Sequence, residues 1–271
     1  MSLEYFYITN NPDVAAACER AGVDRIFVDM EYIGKDKRQG GLNTVQNHHT
    51  VEDVKRIRSV ISKSNLLVRV NPIHDNSQEE INSVIEAGAD YIMLPMWKSV
   101  DDVKAFLEIV SSRTKTILLL ETDEARICLD EVLKLKGIDE IYIGLNDLHL
   151  SQKKKFMFEL YVDGTVDEIV QKLKRVNMKY GIGGVGQVKT NNLLPAENIL
   201  CEHYRLGSSM VILARAFCDW TKYDVAEFEN IMKQGITNNR EYEKTLENAD
   251  TDFFNTKHKE TKKTIEMIKN R

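Results

Sequence analysis

Short apolar runs recur along this chain, each followed by a stretch with helical spacing, and no pattern restricts the possible folds more. The clearest case lies at 116–150. Thr116-Ile-Leu-Leu-Leu is too apolar for a half-exposed strand and reads as a parallel strand covered on both faces. From Asp123 to Lys136, Ile127, Leu129, Val132, Leu133 and Leu135 fall at helical spacing, and Gly137 ends the helix. Ile141-Tyr-Ile-Gly-Leu is a second buried strand that delivers Asn146 and Asp147 at its carboxyl end. Such a βαβ unit makes the two strands neighbours, so Glu121 and Asp147, where the two apolar runs break off, belong on one rim.

The same alternation runs through the rest. Strands are predicted at Tyr5–Ile8, Arg25–Glu31, Leu66–Val70, Tyr91–Pro95, Gly181–Gly186 and Ser209–Ala214. Helices are predicted at Pro12–Ala21, Val51–Ser62, Gln78–Ala87, Val100–Val110, Val166–Met178, Pro195–Tyr204 and Tyr223–Lys233. Eight strands alternating with helices give an α/β chain, a (β/α)8 TIM barrel over 1–235, followed by a charged helical C-terminal extension over 236–271. Thr261 to Ile268 is helical in pattern there, and Phe253 and Phe254 are too apolar for a free tail. A doubly wound sheet is the rival, because Gly181-x-Gly183-x-x-Gly186 has dinucleotide-binding spacing. It arrives after five or six βα units, however, and Gln187 to Asn192 is no clean helix start, so close backbone packing is the plainer explanation.

Composition removes several functions. A net charge of −5 over 271 residues supplies no field to attract phosphate backbones, which excludes a dedicated nucleic-acid binder. No apolar run approaches a membrane span and no signal peptide is evident. Cys18, Cys128, Cys201 and Cys218 are scattered without metal spacing and read as reduced core thiols of a cytoplasmic protein.

In a barrel, the carboxyl ends of the strands converge on one face, which gathers Asp29, Glu31, Arg69, Glu121 and Asp147. Two close carboxylates repel unless a cation lies between them, and a hard divalent ion with oxygen ligands, Mg²⁺ or Mn²⁺, suits the pair. The plainer alternative is that each acid caps the helix after it.

Four segments, in order and approximate spacing, carry a resemblance. Val68-Arg69-Val70, Glu86-Ala-Gly-Ala with Ile92-Met-Leu-Pro-Met96, Leu120-Glu121-Thr122, and Ile143-Gly-Leu-Asn-Asp147-Leu148 resemble the HpcH/HpaI aldolase and citrate lyase β-subunit family from about Ala15 to Ala216. The resemblance implies a divalent-metal-dependent carbon–carbon lyase of the class II aldolase type. It would act through a metal-bound enolate of pyruvate or a related 2-oxo acid, with an aldehyde or thioester co-substrate. Glu121 and Asp147 match the family's metal ligands and Arg69 its substrate-binding arginine, with Glu31, Leu145 and Asn146 beside them at the substrate. It also implies a homo-oligomer with the terminal helices in the interface. The rivals are a citrate-lyase-type acyl-CoA lyase and a catalytically degenerate barrel serving as a scaffold.

The departures matter as much. Pyruvate aldolases of the family follow the strand-two acid with a catalytic histidine, whereas Tyr32 follows Glu31 here. Leu119 replaces a polar residue two positions before Glu121. The segment before strand five is short, as on the citrate lyase side. Tyr32, His48 and His49 on the long loop from Tyr32 to His49, and His149 after Asp147, are the candidate proton carriers. His74 and His203 read as ordinary surface or helix residues. Ser151 to Gly164, with Lys153-Lys-Lys155, Phe156, Phe158 and Tyr161, is either a lid for an acidic group or, as charge runs usually are, simply solvated. Arg215, with the strand-seven glycines, belongs either to a barrel phosphate site or to a structural ion pair.

Overall fold

The computed structural model describes residues 2–34 and 49–270. Eight parallel strands close into a barrel in sequence order: β1 Glu4–Ile8, β2 Arg25–Asp29, β3 Asn65–Arg69, β4 Tyr91–Leu94, β5 Lys115–Leu120, β6 Glu140–Ile143, β7 Lys179–Val185 and β8 Met210–Leu213. The described helices are α1 Pro12–Ala21, α2 Val51–Arg58, α3 Ser77–Glu86, α4 Val100–Val110, α5 Asp123–Val132, α6 Leu145–Ser151, α7 Thr165–Arg175, α8 Ala196–Leu206, α9 Val225–Glu247 and α10 Thr251–Lys269. β1 pairs with both β2 and β8, so no sheet edge is left open. The TIM barrel read from the sequence is therefore the fold.

Local chemistry sets the elements. Asn11 Oδ1 accepts the Asp13 and Val14 amides, Pro12 opens α1, and Gly22 closes it at φ +95°. Reciprocal capping boxes start α2 at Thr50/Asp53 and α4 at Ser99/Asp102.

Period-two alternation divides each strand between two cores. On β2, Ile26 and Val28 pack outward under the helices, while Phe27 joins Phe6, Leu67, Met93, Ile117 and Tyr142 in the barrel's interior. Arg25 lies below Phe27 and Asp29 above it.

Arg25 forms the floor. It is fully buried, with guanidinium nitrogens 2.6 and 2.8 Å from the Glu140 carboxylate and 2.9 Å from Glu4. Lys179 adds contacts of 2.6 Å to Glu4 and 2.9 Å to Glu140. The Arg25 guanidinium also lies 3.9 Å from the Tyr91 ring centre. Burial alone would lower the Arg25 pKa and raise that of Glu4; the mutual pairing reverses both.

The glycines of β7 pack around Tyr142. Its hydroxyl donates to the Gly183 carbonyl at 2.5 Å and accepts the Ile212 amide at 2.7 Å. A Cβ on Gly181 would lie 2.4 Å from Met210 Cγ and 2.5 Å from Tyr142 Cε2. β7 ends at Val185 and α8 begins only at Ala196, so the strand-to-helix turn that a dinucleotide fingerprint requires is absent here.

Two sequence boundaries move. Leu145, read as the end of strand six, opens the short helix α6, so Asp147 lies in a helical first turn. The limit at 235/236 falls inside α9, which runs unbroken from Val225 to Glu247 and is held to the loop after β7 by Asn239, whose amide bonds Val188 N and the Gly186 carbonyl. α10 packs on α8 of its own barrel, through Asn198–Thr261 at 2.9 Å and Glu202–His258 at 2.8 Å. Among the described residues no helix is long and apolar enough to cross a membrane.

Candidate active site

Above the middle layer, a cavity of about 410 Å³ opens at the carboxyl ends of the strands. Asp29, Arg69, Glu121, Leu145, Asn146 and Asp147 all line it. The register explains the meeting: Asp29 pairs with Arg69 across β2 and β3, and Leu120 with Ile143 across β5 and β6.

Arg69 is fixed by carboxylates. Its Nε and Nη2 each donate to Asp29 at 2.8 Å, a bidentate fork, and Nη1 lies 3.3 Å from Glu31. Burial opposes the charge, but Asp29 and Glu31, with a contribution from Glu121, hold the guanidinium protonated far beyond its ordinary range. Glu31 is 2% exposed and does not line the cavity; it steadies Arg69 from behind.

Glu121 follows the last residue of β5 and is 3% exposed. The Met96 amide donates to its Oε1 at 3.0 Å, from a residue held at φ +52°. Gly144 lies beneath it, where a Cβ would come within 2.9 Å of Glu121 Cβ and 3.1 Å of Oε2. Burial raises the Glu121 carboxyl well above the usual range, and Glu31 and Asp147 push the same way against Arg69. Helix capping does not account for Glu121, because the Thr122 hydroxyl caps α5 by accepting the Ala125 amide. Asp147 is half-buried in the first turn of α6, whose N-cap, Gly144, makes no side-chain cap.

The donor set tests whether a cation belongs here. No cluster of three or more metal-binding side chains occurs among the described residues. A pair of carboxylate oxygen donors beside a cavity still fits Mg²⁺ or Mn²⁺, which bind through one or two carboxylates and complete their shell with water and substrate. Glu121 and Asp147 are the residues that would hold the ion.

The candidate proton carriers separate. Tyr32 is 60% exposed and away from the cavity wall; its amide, with that of Ile33, donates to Asn71 Oδ1. His49 accepts the Asp29 amide on Nδ1 at 2.9 Å. That nitrogen therefore carries no proton, and the ring positions the residue that holds Arg69. His149 is buried in α6 with Nδ1 3.2 Å from the Leu145 carbonyl and does not reach the cavity. His48 lies outside the described residues. His203 is not at the surface but fully buried, with Nδ1 3.0 Å from Ser208 Oγ.

The segment after α6 is not a loose lid. Phe158, Leu160 and Tyr161 are buried, and Phe156 and Phe158 pack edge to face at 5.3 Å. Lys154 pairs with Asp163 at 2.5 Å, and Met157 alone of this segment lines the cavity. Residues the sequence reading missed include Met96 and Gly144, which shape Glu121, and Asp219, Trp220 and Thr221 after β8, which complete the wall. The short Ile-Gly-Leu run was the only sign of Gly144, and Met96 stood only as the last residue of the Ile92–Met96 segment, with no role attached.

A closed barrel with a fixed arginine facing two carboxylates at its mouth defines the class. Residues 3–161 match the HpcH/HpaI aldolase/citrate lyase family, and the chain belongs to it. Among solved structures it is similar to an HpcH/HpaI aldolase from Desulfitobacterium hafniense DCB-2, at 15% identity and a TM-score of 0.61, over 92% of this chain and 95% of that one. A family protein from Burkholderia cenocepacia J2315 gives 15% and 0.60 over 88% and 95%, and a citrate synthase variant, SbnG, gives 15% and 0.54 over 89% and 95%. At these identities the likeness shows the fold. A search of curated proteins gave no match.

Proposed function

We propose that the protein is a divalent-metal-dependent carbon–carbon lyase that cleaves or forms a bond next to the enolate of pyruvate or a related 2-oxo acid. The observation that carries this reading is the Arg69 guanidinium, locked by Asp29, in one cavity with Glu121 and Asp147. When bound by the two carboxylates, Mg²⁺ or Mn²⁺ would supply Lewis acidity toward the oxo acid's oxygens.

The chain's own groups do the rest. Nε and one N–H of Nη2 donate to Asp29 and Nη1 lies 3.3 Å from Glu31, so the guanidinium keeps N–H groups to orient an anionic oxygen and offset charge developing there. Leu119, Met93 and Phe27 make the wall below apolar and keep bulk water from the reacting carbon. Leu145 and Asn146 border the carboxylate pair from α6.

The test is hydrogen–deuterium exchange at the pyruvate methyl, followed by NMR in D₂O with and without Mg²⁺ or Mn²⁺. Exchange needs no second substrate. The wild type should exchange only with metal, and Asp147→Ala should not exchange. No exchange by the wild type would sink the pyruvate reading. Comparing His48→Ala with His49→Ala then separates a proton carrier from a positioning residue: loss of the first abolishes exchange, whereas loss of the second slows it.

A further inference from the structure

We propose that Arg215 forms an oxyanion subsite on the β8 side of the cavity, which takes the carboxylate or phosphate of the co-substrate and so selects the electrophile. The inference rests on the enolate reading for its chemistry, while the subsite itself is read from geometry.

Among the described residues, six charged side chains line the cavity: Asp29, Arg69, Glu121, Asp147, Arg215 and Asp219. Of the two described cations, Arg69 is committed to Asp29 and Glu31. Arg215 makes no ion pair or side-chain hydrogen bond among the described residues, although Asp219 lies four positions along the same loop. Asp219 is engaged elsewhere: its Oδ1 accepts the Thr221 amide and hydroxyl, and Lys222 lies 3.6 Å from its Oδ2.

The loop that carries Arg215 is pinned on both sides. The Ala214 amide donates to the Val185 carbonyl at 2.9 Å and the Phe217 amide to the Ala214 carbonyl at 2.7 Å. Phe217 is buried, its carbonyl accepts Gln187 Nε2 at 2.6 Å, and the Tyr7 hydroxyl donates to the Cys218 carbonyl at 2.9 Å. The backbone beneath the guanidinium is thus preorganised at the rim.

Placement fits a second substrate. β8 is three strands from β3 and three from β5 around the closed barrel, so Arg215 stands across the mouth from Arg69 and Glu121, with Asp147 two strands away after β6. Beside it on the β8 side, Ile212 and Trp220 give apolar surface for the body of a molecule anchored at Arg215. A guanidinium fork matches carboxylate and phosphate alike.

The experiment pairs each anionic aldehyde with a neutral one of similar shape, using pyruvate as nucleophile and the metal-loaded full chain: 5-oxopentanoate against pentanal, and glyceraldehyde 3-phosphate against glyceraldehyde. The wild type should favour the anionic member of at least one pair tenfold or more in kcat/KM, and the favoured pair says which oxyanion is bound. Arg215→Gln should erase that preference, lowering the anionic substrate tenfold or more and the neutral one less than threefold, with Arg215→Lys between. Equal use of both members by the wild type, or an undiminished preference in Arg215→Gln, overturns the subsite. Glutarate and inorganic phosphate titrated calorimetrically into wild type and Arg215→Gln decide the matter even where pyruvate exchange or condensation fails: binding weakened tenfold by the substitution upholds the subsite, and equal or absent binding rejects it.

Discussion

Glu121 is the carboxylate most at odds with its surroundings, buried beside Glu31 and Asp147 with one amide and one arginine in its favour. Glu121→Gln should therefore weaken Mn²⁺ binding at least a hundredfold by calorimetry while leaving the metal-free fold as stable or about 1 kcal/mol more so, since a buried uncompensated charge costs more than an amide. Removing the Arg69 cation does the opposite: Arg69→Ala strands buried Asp29 and should cost about 3–5 kcal/mol in urea unfolding. Gly144→Ala places a methyl 2.9 Å from Glu121 Cβ and should weaken metal binding more than it lowers stability, by about 1–3 kcal/mol. The acids and the arginine were legible because each interrupts an apolar run at a strand end. Met96 was not, because its contribution is a backbone amide at positive φ, which no side-chain pattern advertises.

At the scale of elements, the barrel strands were readable to within a few residues because burial on two faces leaves unmistakable apolar runs. Irregular pieces were less so. The strand-six run continued through Leu145 in sequence, yet the chain turns into α6 at Gly144, where Glu121 leaves no room for a side chain. β7 was ambiguous because its glycines answer to Tyr142, a partner on another strand. Gly181→Ala should accordingly destabilise the fold by about 1–3 kcal/mol or more in urea, with an intact barrel signature by circular dichroism. The lysine run after α6 left a lid open beside the plainer solvated reading because charge is visible in sequence, whereas the packing of Phe158 and Tyr161 beneath it depends on tertiary contacts.

For the whole molecule, buried charge sets the response to acid. Burial lowers the His203 pKa to about 3, against about 6.5 when exposed, so between those values the unfolded chain takes up a proton that the folded chain refuses. Stability present above pH 6.5 is then lost as the pH falls toward 3, by about 1.4 kcal/mol per unit from this group. Urea unfolding at pH 7, 5.5 and 4.5 should show the slope, and His203→Leu should flatten it. Glu4, held below its ordinary pKa by Lys179 and Arg25 against its burial, adds a loss only at more acid pH. The charged floor has a further bearing on kinetics. With Arg25, Glu4, Glu140 and Lys179 sealing the amino end of the barrel, every molecule that reaches the depth of the cavity must pass the rim where Arg215 stands. On the enolate reading proposed above, that doorway predicts a queue: the oxo acid should enter first and depart last, its release waiting on that of its partner, an order that product-inhibition kinetics would reveal.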